Sequence, residues 1–123
     1  MIQLDTNFLI QAFVPGSAAE GKLRVSLTDG EDLGISTIAW SEFLRGPVMP
    51  EDEALAEVFL SAPEPFLAGV ARRAAYLFNA TGRRSRSLAD CQIAAVALRC
   101  GARVATGNAS HFKPYQSHGL ILA

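Results

Sequence analysis

The chain has 123 residues, the length of one ordinary domain, and 50% of them are hydrophobic while 19% are charged. This composition excludes a disordered chain or a fibre and predicts one globular domain over residues 1–123. A formal net charge of −1 taken alone argues against a nucleic-acid-binding protein, because affinity for phosphate backbones comes largely from lysine and arginine. The charge is divided, however. Residues 1–64 hold three basic and eleven acidic residues, a net of −8, whereas residues 65–123 hold eight basic residues and one acid, a net of +7.

The first half of the chain alternates short apolar strands with helices. Ile2 to Leu4 is a strand, followed by a helix over 7–13 that Asp5 or Thr6 can cap and Pro15-Gly16 ends. The pattern then predicts a helix over 17–27, a strand over 33–35, a helix from the Ser36-Thr37 cap to Arg45, and an acidic helix over 51–60. In that last helix, Leu55, Val58 and Phe59 form the apolar side.

The second half repeats the alternation. A helix is predicted over 66–79 with Val70, Ala74, Leu77 and Phe78 on its apolar side, and a basic loop, TGRRSR, follows over 81–86. Ser87 opens a helix over 88–100 that is apolar nearly all round, which predicts that it is buried. The remaining elements are a strand over 103–106, a loop over 107–112 and a last strand over 120–122.

Short apolar strands that lack an alternating polar face indicate an α/β fold with a largely parallel central sheet covered on both sides by helices. The N-terminal sequence MIQLDTNFLIQAF has no basic residues before its apolar ones and places Asp5 among them. It matches neither a secretory signal nor a membrane span, so a cytoplasmic protein is expected.

Both cysteines fall in the predicted helix over 88–100. Cys91 and Cys100 are nine positions apart, which places them on opposite faces and roughly 13 Å apart along the helix. A disulfide needs Cα atoms within about 7 Å. Free thiols are therefore expected, as suits a reducing cytosol, and no Cys/His spacing resembles a zinc site.

Four polar side chains are predicted near the carboxyl ends of the strands, where ligands bind in open parallel sheets. Asp5 ends the first strand, Glu42 lies within two turns of the helix after the second, and Asn108 lies just beyond the third. Asp90 lies in the first turn of the buried helix, where a carboxylate is costly unless it faces an opening or a cation.

Each position also has a purely structural interpretation. Asp5 is a good helix N-cap, Glu42 can pair with Arg45 at i,i+3, Ser87 to Asp90 fits a capping pattern, and Asn108 after a glycine is a common turn residue. Taken jointly, acids on three separate segments are what a hard-cation site requires. Oxygen ligands of this kind bind Mg²⁺ or Mn²⁺ and leave water positions that a phosphate can displace.

Four motifs resemble those of the PIN-domain ribonucleases, in particular VapC-type toxins of prokaryotic toxin–antitoxin systems. They are LDTN (4–7), SEFLRG (41–46), LADCQIAAVAL (88–98) and TGNASHF (106–112). The motifs occur in the family's order, and the resemblance spans essentially the whole chain. It implies a PIN-like three-layer α/β/α fold. The departure is Asn108, where many relatives have aspartate, and it leaves the second metal in question.

The resemblance implies hydrolysis of single-stranded or loop RNA with one or two Mg²⁺ or Mn²⁺ ions. On this reading Asp5 and Asp90 bind metal directly, Glu42 ligates or positions the attacking water, and Asn108 offers an amide oxygen or holds a metal-bound water. Thr106 would hydrogen-bond one of the ligating carboxylates. Thr6 and Asn7 are expected to do no more than cap the first helix.

The basic loop supplies candidates for RNA binding, since Arg83, Arg84 and Arg86 precede the Asp90 helix and can reach phosphates beside the metals. A solvated loop is the alternative. The pair Arg72-Arg73 is expected on the surface or at a partner interface, and Trp40 in the core. His111 and His118 are expected in ordinary loop roles, because no second catalytic group accompanies them.

The resemblance further implies a homodimer and a small antitoxin partner with a basic or aromatic segment that binds at the active site. The acidic first half of the chain is complementary in charge to such a segment. Two rival functions remain open. One is a PIN-like module that binds RNA or protein without cutting, which the asparagine at 108 would favour. The other is an aspartate-based phosphohydrolase. The asparagine at position 7, where that chemistry would ordinarily need a second aspartate, and the presence of only two lysines both argue against it.

Overall fold

Seven helices and four short strands make up the protein in a computed structural model that describes residues 1–123. The strands are β1 (Ile2–Leu4), β2 (Leu33–Gly34), β3 (Arg103–Ala105) and β4 (Ile121–Leu122). The helices are α1 (Thr6–Ala12), α2 (Ala18–Thr28), α3 (Thr37–Arg45), α4 (Pro50–Phe59), α5 (Ala68–Ala80), α6 (Leu88–Cys100) and α7 (Ala109–Gln116).

The four strands form one sheet in the order β2-β1-β3-β4, and every pairing is parallel. Strand β1 lies in the middle, with Ile2 opposite Leu33 on one side and opposite Arg103 on the other. All three residues of β1 are buried, as expected for a strand whose two faces are covered by helices. The predicted three-layer α/β/α arrangement with a parallel sheet is confirmed.

The core is one cluster of 25 buried apolar residues, to which α6 contributes the most. Cys91 and the unbroken run from Ile93 to Ala97 are buried, so the prediction that this helix is buried is confirmed. Helix α5 packs beside it through Val70, Ala74 and Leu77. The small alanine side chains of α6 let neighbouring elements approach closely, and Gly101 ends the helix in the left-handed conformation that favours glycine.

Three sequence expectations are corrected. The segment 107–112 was expected to be a loop, but α7 begins at Ala109 and is held by buried Phe112 and Tyr115. In α4 only Ala56 is buried, and Leu55 and Val58 are 52% and 80% exposed rather than packed on the core. Ser87 precedes α6 without capping it, because its hydroxyl donates to the carbonyl of Arg84.

Other features follow the expected pattern with shifts of one or two residues at the ends of elements. Both cysteines are free thiols. Trp40 is half-buried and its ring stacks on Phe43 at 5.5 Å between centroids. None of the helices combines the length and the apolar character needed to cross a lipid bilayer.

Candidate active site at the carboxyl edge of the sheet

Asp5 lies at the carboxyl end of the central strand, where the chain turns from β1 into α1. Its side chain is 4% exposed. One carboxylate oxygen accepts the backbone N–H of Thr6 at 2.8 Å, which makes Asp5 the N-cap of α1. The other accepts the hydroxyl of Thr106 at 2.8 Å. The predicted capping role of Asp5 is therefore confirmed. The same carboxylate also contacts Thr106 at the carboxyl edge of the sheet.

Thr106 joins two of the predicted site residues. It directly follows β3, and besides donating to Asp5 its hydroxyl accepts the backbone N–H of Asn108 at 2.9 Å. Asn108 occupies the N-cap position of α7, but its side chain caps nothing. The side-chain amide of Asn108 is therefore free to contact a ligand in the cavity that it lines.

Glu42 reaches the site from the second turn of α3. Its Oε1 accepts the hydroxyl of Thr6 at 2.8 Å, and the ion pair with Arg45 that the sequence also allowed does not form. Thr6 was expected only to help cap α1. Instead, its hydrogen bond to Glu42 connects the start of α1 to α3. The two residues are 36 positions apart, so no local sequence pattern could predict this contact.

Asp90 approaches from the first turn of α6, and His111 on α7 faces it. The His111 Nδ1 atom lies 3.6 Å from Asp90 Oδ2. A loop role was expected for His111, and the missed helix α7 is what presents it here. Its imidazole is largely exposed.

Apart from Thr106, these side chains meet in one polar cavity of about 460 Å³. The residues lining it that carry acidic, amide, hydroxyl or imidazole groups are Asp5, Thr6, Asn7, Glu42, Asp90, Asn108 and His111. Only two of its lining residues are hydrophobic. The structure thus brings together all four residues that the sequence analysis placed at this edge.

Burial and nearby negative charge together raise the pKa of Asp5 and of Asp90. Burial is the main cause for Asp5, and the charge of Glu42 adds to it, while the hydrogen bond from Thr106 opposes it. Burial also raises the pKa of Asp90 to about 6, with a further contribution from the charge of Asp5, and His111 counteracts part of this rise. A bound cation would therefore offset the unfavourable energy of charging these carboxylates.

The stability of the chelator-treated protein should consequently fall as pH rises. Between the ordinary Asp pKa of 3.8 and about 6, folded Asp90 keeps a proton that the unfolded chain releases, so ionisation favours unfolding. Asp90→Asn should thus raise the free energy of unfolding at pH 7.5 and leave it nearly unchanged at pH 4. Because solvent reaches this carboxylate, we expect a gain of about 1 kcal/mol, measured by urea denaturation in EDTA at both pH values.

An equal effect of Asp90→Asn at the two pH values would contradict this account. Asp29→Asn is the matched control, because Asp29 is exposed at the end of α2. We expect that substitution to change stability by no more than about 0.5 kcal/mol at either pH.

The donor set fits a hard divalent cation. A buried aspartate, a half-buried aspartate, a glutamate and a neutral amide oxygen are the ligand types that Mg²⁺ and Mn²⁺ select. As the side chains stand, no three His, Cys, Asp or Glu residues are close enough to share one ion. Burial and the charge of Asp5 both raise the pKa of Asp90, and a cation held by these acids would favour their charged forms.

Two of the three arginines in the basic loop face this site. Arg86 lines the cavity, and a shallower recess beside it is lined by Arg84 and Arg86 together with Asp90 and His111. Arg83 turns back to α5, where its guanidinium donates to Asn79 and lies 5.5 Å from the centre of the Phe78 ring. The loop therefore presents Arg86 to the cavity and Arg84 to the recess beside it, and Arg83 to neither.

Comparison with known proteins identifies relatives by sequence family and by fold. The family model described as PIN domain matches residues 2–115. No curated protein sequence matches the chain.

Several solved structures share the fold. VapBC2 of Rickettsia felis, bound to a DNA fragment from its promoter, includes a chain that superposes with a TM-score of 0.72 at 19% identity. The match covers 100% of this chain and 98% of that one. FitAcB of Neisseria gonorrhoeae gives 0.71 at 21% identity, with 100% and 97% covered. VapC20 of Mycobacterium tuberculosis, described as a toxin that cleaves the sarcin–ricin loop, gives 0.68 at 19% identity, with 100% and 98% covered.

Proposed function

Because the chain belongs to the PIN domain family, we propose that it is a Mg²⁺- or Mn²⁺-dependent endoribonuclease that hydrolyses single-stranded or loop RNA. The observation that carries the proposal is the meeting of Asp5, Glu42, Asp90 and Asn108 in one polar cavity at the carboxyl edge of the sheet. The description of VapC20 as an RNA-loop-cleaving toxin supports the substrate class.

Each residue has a distinct part in this chemistry. Asp5 and Asp90 would hold one or two divalent ions, with Asn108 contributing a neutral oxygen. When bound, such an ion lowers the pKa of a water molecule and offsets the charge that develops on the phosphate. Glu42 orients the attacking water and takes its proton, since Thr6 holds one of its carboxylate oxygens and leaves the other free.

Thr106 and Thr6 act as positioning residues. Thr106 fixes the rotation of the Asp5 carboxylate, and Thr6 does the same for Glu42. Arg84 and Arg86 bind substrate phosphates beside the cavity, because guanidinium groups match phosphate oxygens in charge and geometry.

The partners follow from the same family. The structural relatives include toxin–antitoxin complexes from Rickettsia felis, Klebsiella pneumoniae and Salmonella typhimurium. We infer that this chain is the toxin of such a pair, that it acts in the cytoplasm, and that it forms a homodimer which a small antitoxin binds. The exposed Leu55 and Val58 of α4 are available for such a contact.

Cleavage should depend on added metal. The purified protein, incubated with a complex pool of cellular RNA and Mn²⁺ or Mg²⁺, should produce discrete cleavage fragments, and EDTA should abolish them. Fragment ends read by sequencing report the target. If no RNA in the pool is cut with either metal while the protein still binds RNA, the chain is a binding module, the alternative that the asparagine at position 108 keeps open.

Substitution of Thr6 should lower activity without removing a ligand. Thr6→Val keeps the shape of the side chain and loses the hydroxyl that holds Glu42, so we expect kcat to fall roughly 10- to 100-fold. Thr6→Ser retains the hydroxyl and should recover most of the loss. Single-turnover cleavage rates of the three proteins would test this, and equal rates for Thr6→Val and Thr6→Ser would contradict the positioning role.

A further inference from the structure

A second groove lies between α5 and the last turn of α6, away from the catalytic cavity. Its volume is about 920 Å³, and residues from α5, α6 and the end of α7 line it. Leu98 lines this groove whereas Asp90 lines the catalytic cavity. Eight residues of the same helix separate them, which corresponds to about 12 Å along its axis. The groove is therefore a separate feature of the surface.

The groove carries uncompensated positive charge. Arg72 and Arg73 line it from α5, both are exposed, and neither forms an ion pair. Arg99 also lines it but is paired with Glu64 at 3.4 Å. Since Asp90 is the only acid in residues 65–123, this part of the chain has little negative charge to neutralise the two free arginines.

An exposed aromatic side chain lies among these cations. Tyr76 is 55% exposed, and its ring meets the His118 ring edge-on at 5.6 Å between centroids. The guanidinium of Arg73 lies 6.0 Å from the Tyr76 ring centre and donates to the backbone carbonyl of His118. Arginine and tyrosine are thus held side by side, the combination that binds the phosphates and the bases of a single strand together.

Helix α5 connects the groove to the catalytic cavity. Arg73, Tyr76 and Ala80 recur at spacings of three and four residues, so they lie along one side of the helix. From Arg73 the helix continues for roughly 10 Å to its end at Ala80. The basic loop follows, and its Arg84 and Arg86 border the recess at Asp90. A strand bound at the catalytic cavity can therefore run along this side of α5, from the arginines of the loop to those of the groove.

We propose that this groove is a second binding site for single-stranded RNA, which holds the part of the substrate that extends beyond the catalytic cavity. The proposal rests on the ribonuclease function proposed above. An acidic peptide would also satisfy the arginines. The exposed tyrosine beside them favours a ligand with planar bases, because base–aromatic stacking contributes affinity that a chain of carboxylates lacks.

The test measures how RNA length affects binding. Fluorescence anisotropy is recorded in EDTA with the Asp90→Asn protein and unstructured RNAs of 4 and 12 nucleotides. The longer RNA should bind at least tenfold more tightly. Arg72→Ala combined with Arg73→Ala should remove most of this gain and reduce the slope of log K against log salt by about 1.4, the value for two lost phosphate contacts.

Two further variants separate stacking from charge. Tyr76→Ala should weaken binding of the longer RNA roughly tenfold, and Tyr76→Phe should retain it. Arg24→Ala is the matched control, because Arg24 is an exposed arginine on α2, outside the groove. Circular dichroism and thermal melting check that every variant remains folded.

The outcomes distinguish the two proposals. If the double arginine variant keeps the gain from RNA length, the second site is refuted whether or not the protein cuts RNA. If the gain is lost in that variant and yet no RNA is cut in the metal assay, the second site stands and the nuclease function falls. If a polyglutamate peptide loses affinity in the double variant while RNA does not, the groove binds protein and the proposal is overturned.

Discussion

Replacing Asp90 with asparagine is expected to lower the rate of RNA cleavage by roughly 10³-fold while the protein stays folded. The substitution preserves the shape of the side chain and removes one negative charge from the cavity that Asp5 and Glu42 also line. A metal ligand of this kind supports several kcal/mol of transition-state stabilisation, and 10³-fold corresponds to about 4 kcal/mol. Single-turnover rates at saturating Mn²⁺ would measure the loss.

Two controls make this result interpretable. Asp29→Asn removes an exposed acid of the same type and should leave the rate unchanged. Isothermal titration with Mn²⁺ should show weaker metal binding for Asp90→Asn alone. If Asp90→Asn cuts RNA as fast as the unmodified protein, Asp90 is not part of the catalytic machinery and the proposed mechanism is wrong.

Replacing Phe112 with alanine is expected to reduce the free energy of unfolding by about 3–5 kcal/mol. Phe112 is fully buried and packs edge-on against Tyr115 at 5.9 Å, and these two side chains are the buried residues of α7. Removal of the Phe112 ring leaves a cavity, and it also loosens the helix that carries His111 to Asp90. Urea denaturation would give the loss of stability directly.

The neighbouring positions provide the comparison. Lys113→Ala changes an exposed residue of the same helix and should alter stability by no more than about 0.5 kcal/mol. Phe112→Leu retains most of the buried volume and should cost about 1.5 kcal/mol or less. A loss below 1 kcal/mol for Phe112→Ala would mean that α7 is not anchored through this ring.

The layered α/β fold was predictable because its main elements have strong local patterns. The apolar strands at 2–4 and 103–105 and the apolar helix α6 are bounded by caps, glycines and prolines that act locally. Helix α7 lacks such a pattern. It contains Pro114, which cannot donate a helical hydrogen bond, and its stability comes from packing of Phe112 in a core that only the folded chain supplies.

In the candidate site, the acidic residues were predictable from the sequence, whereas the residues that contact and position them were not. Asp5 and Asp90 stood out because each is isolated from the other acids in the sequence, and both line the cavity. The contribution of Thr6 depends on a hydrogen bond to a residue 36 positions away, and that of His111 depends on α7. Arg83 differed because a contact with Asn79, near the end of α5, directs its guanidinium away from the cavity.

The hydrogen bond between Thr106 and Asp5, which joins residues 101 positions apart, has a consequence for the order of events during synthesis. Asp5 emerges from the ribosome early, but its central strand gains its neighbour β3 only after residues 103–105 are made. At translation rates of about 5–20 residues per second, that interval is roughly 5 to 20 seconds. A nascent chain of this protein therefore carries Asp5 for several seconds before the partners that complete this edge of the sheet have been made.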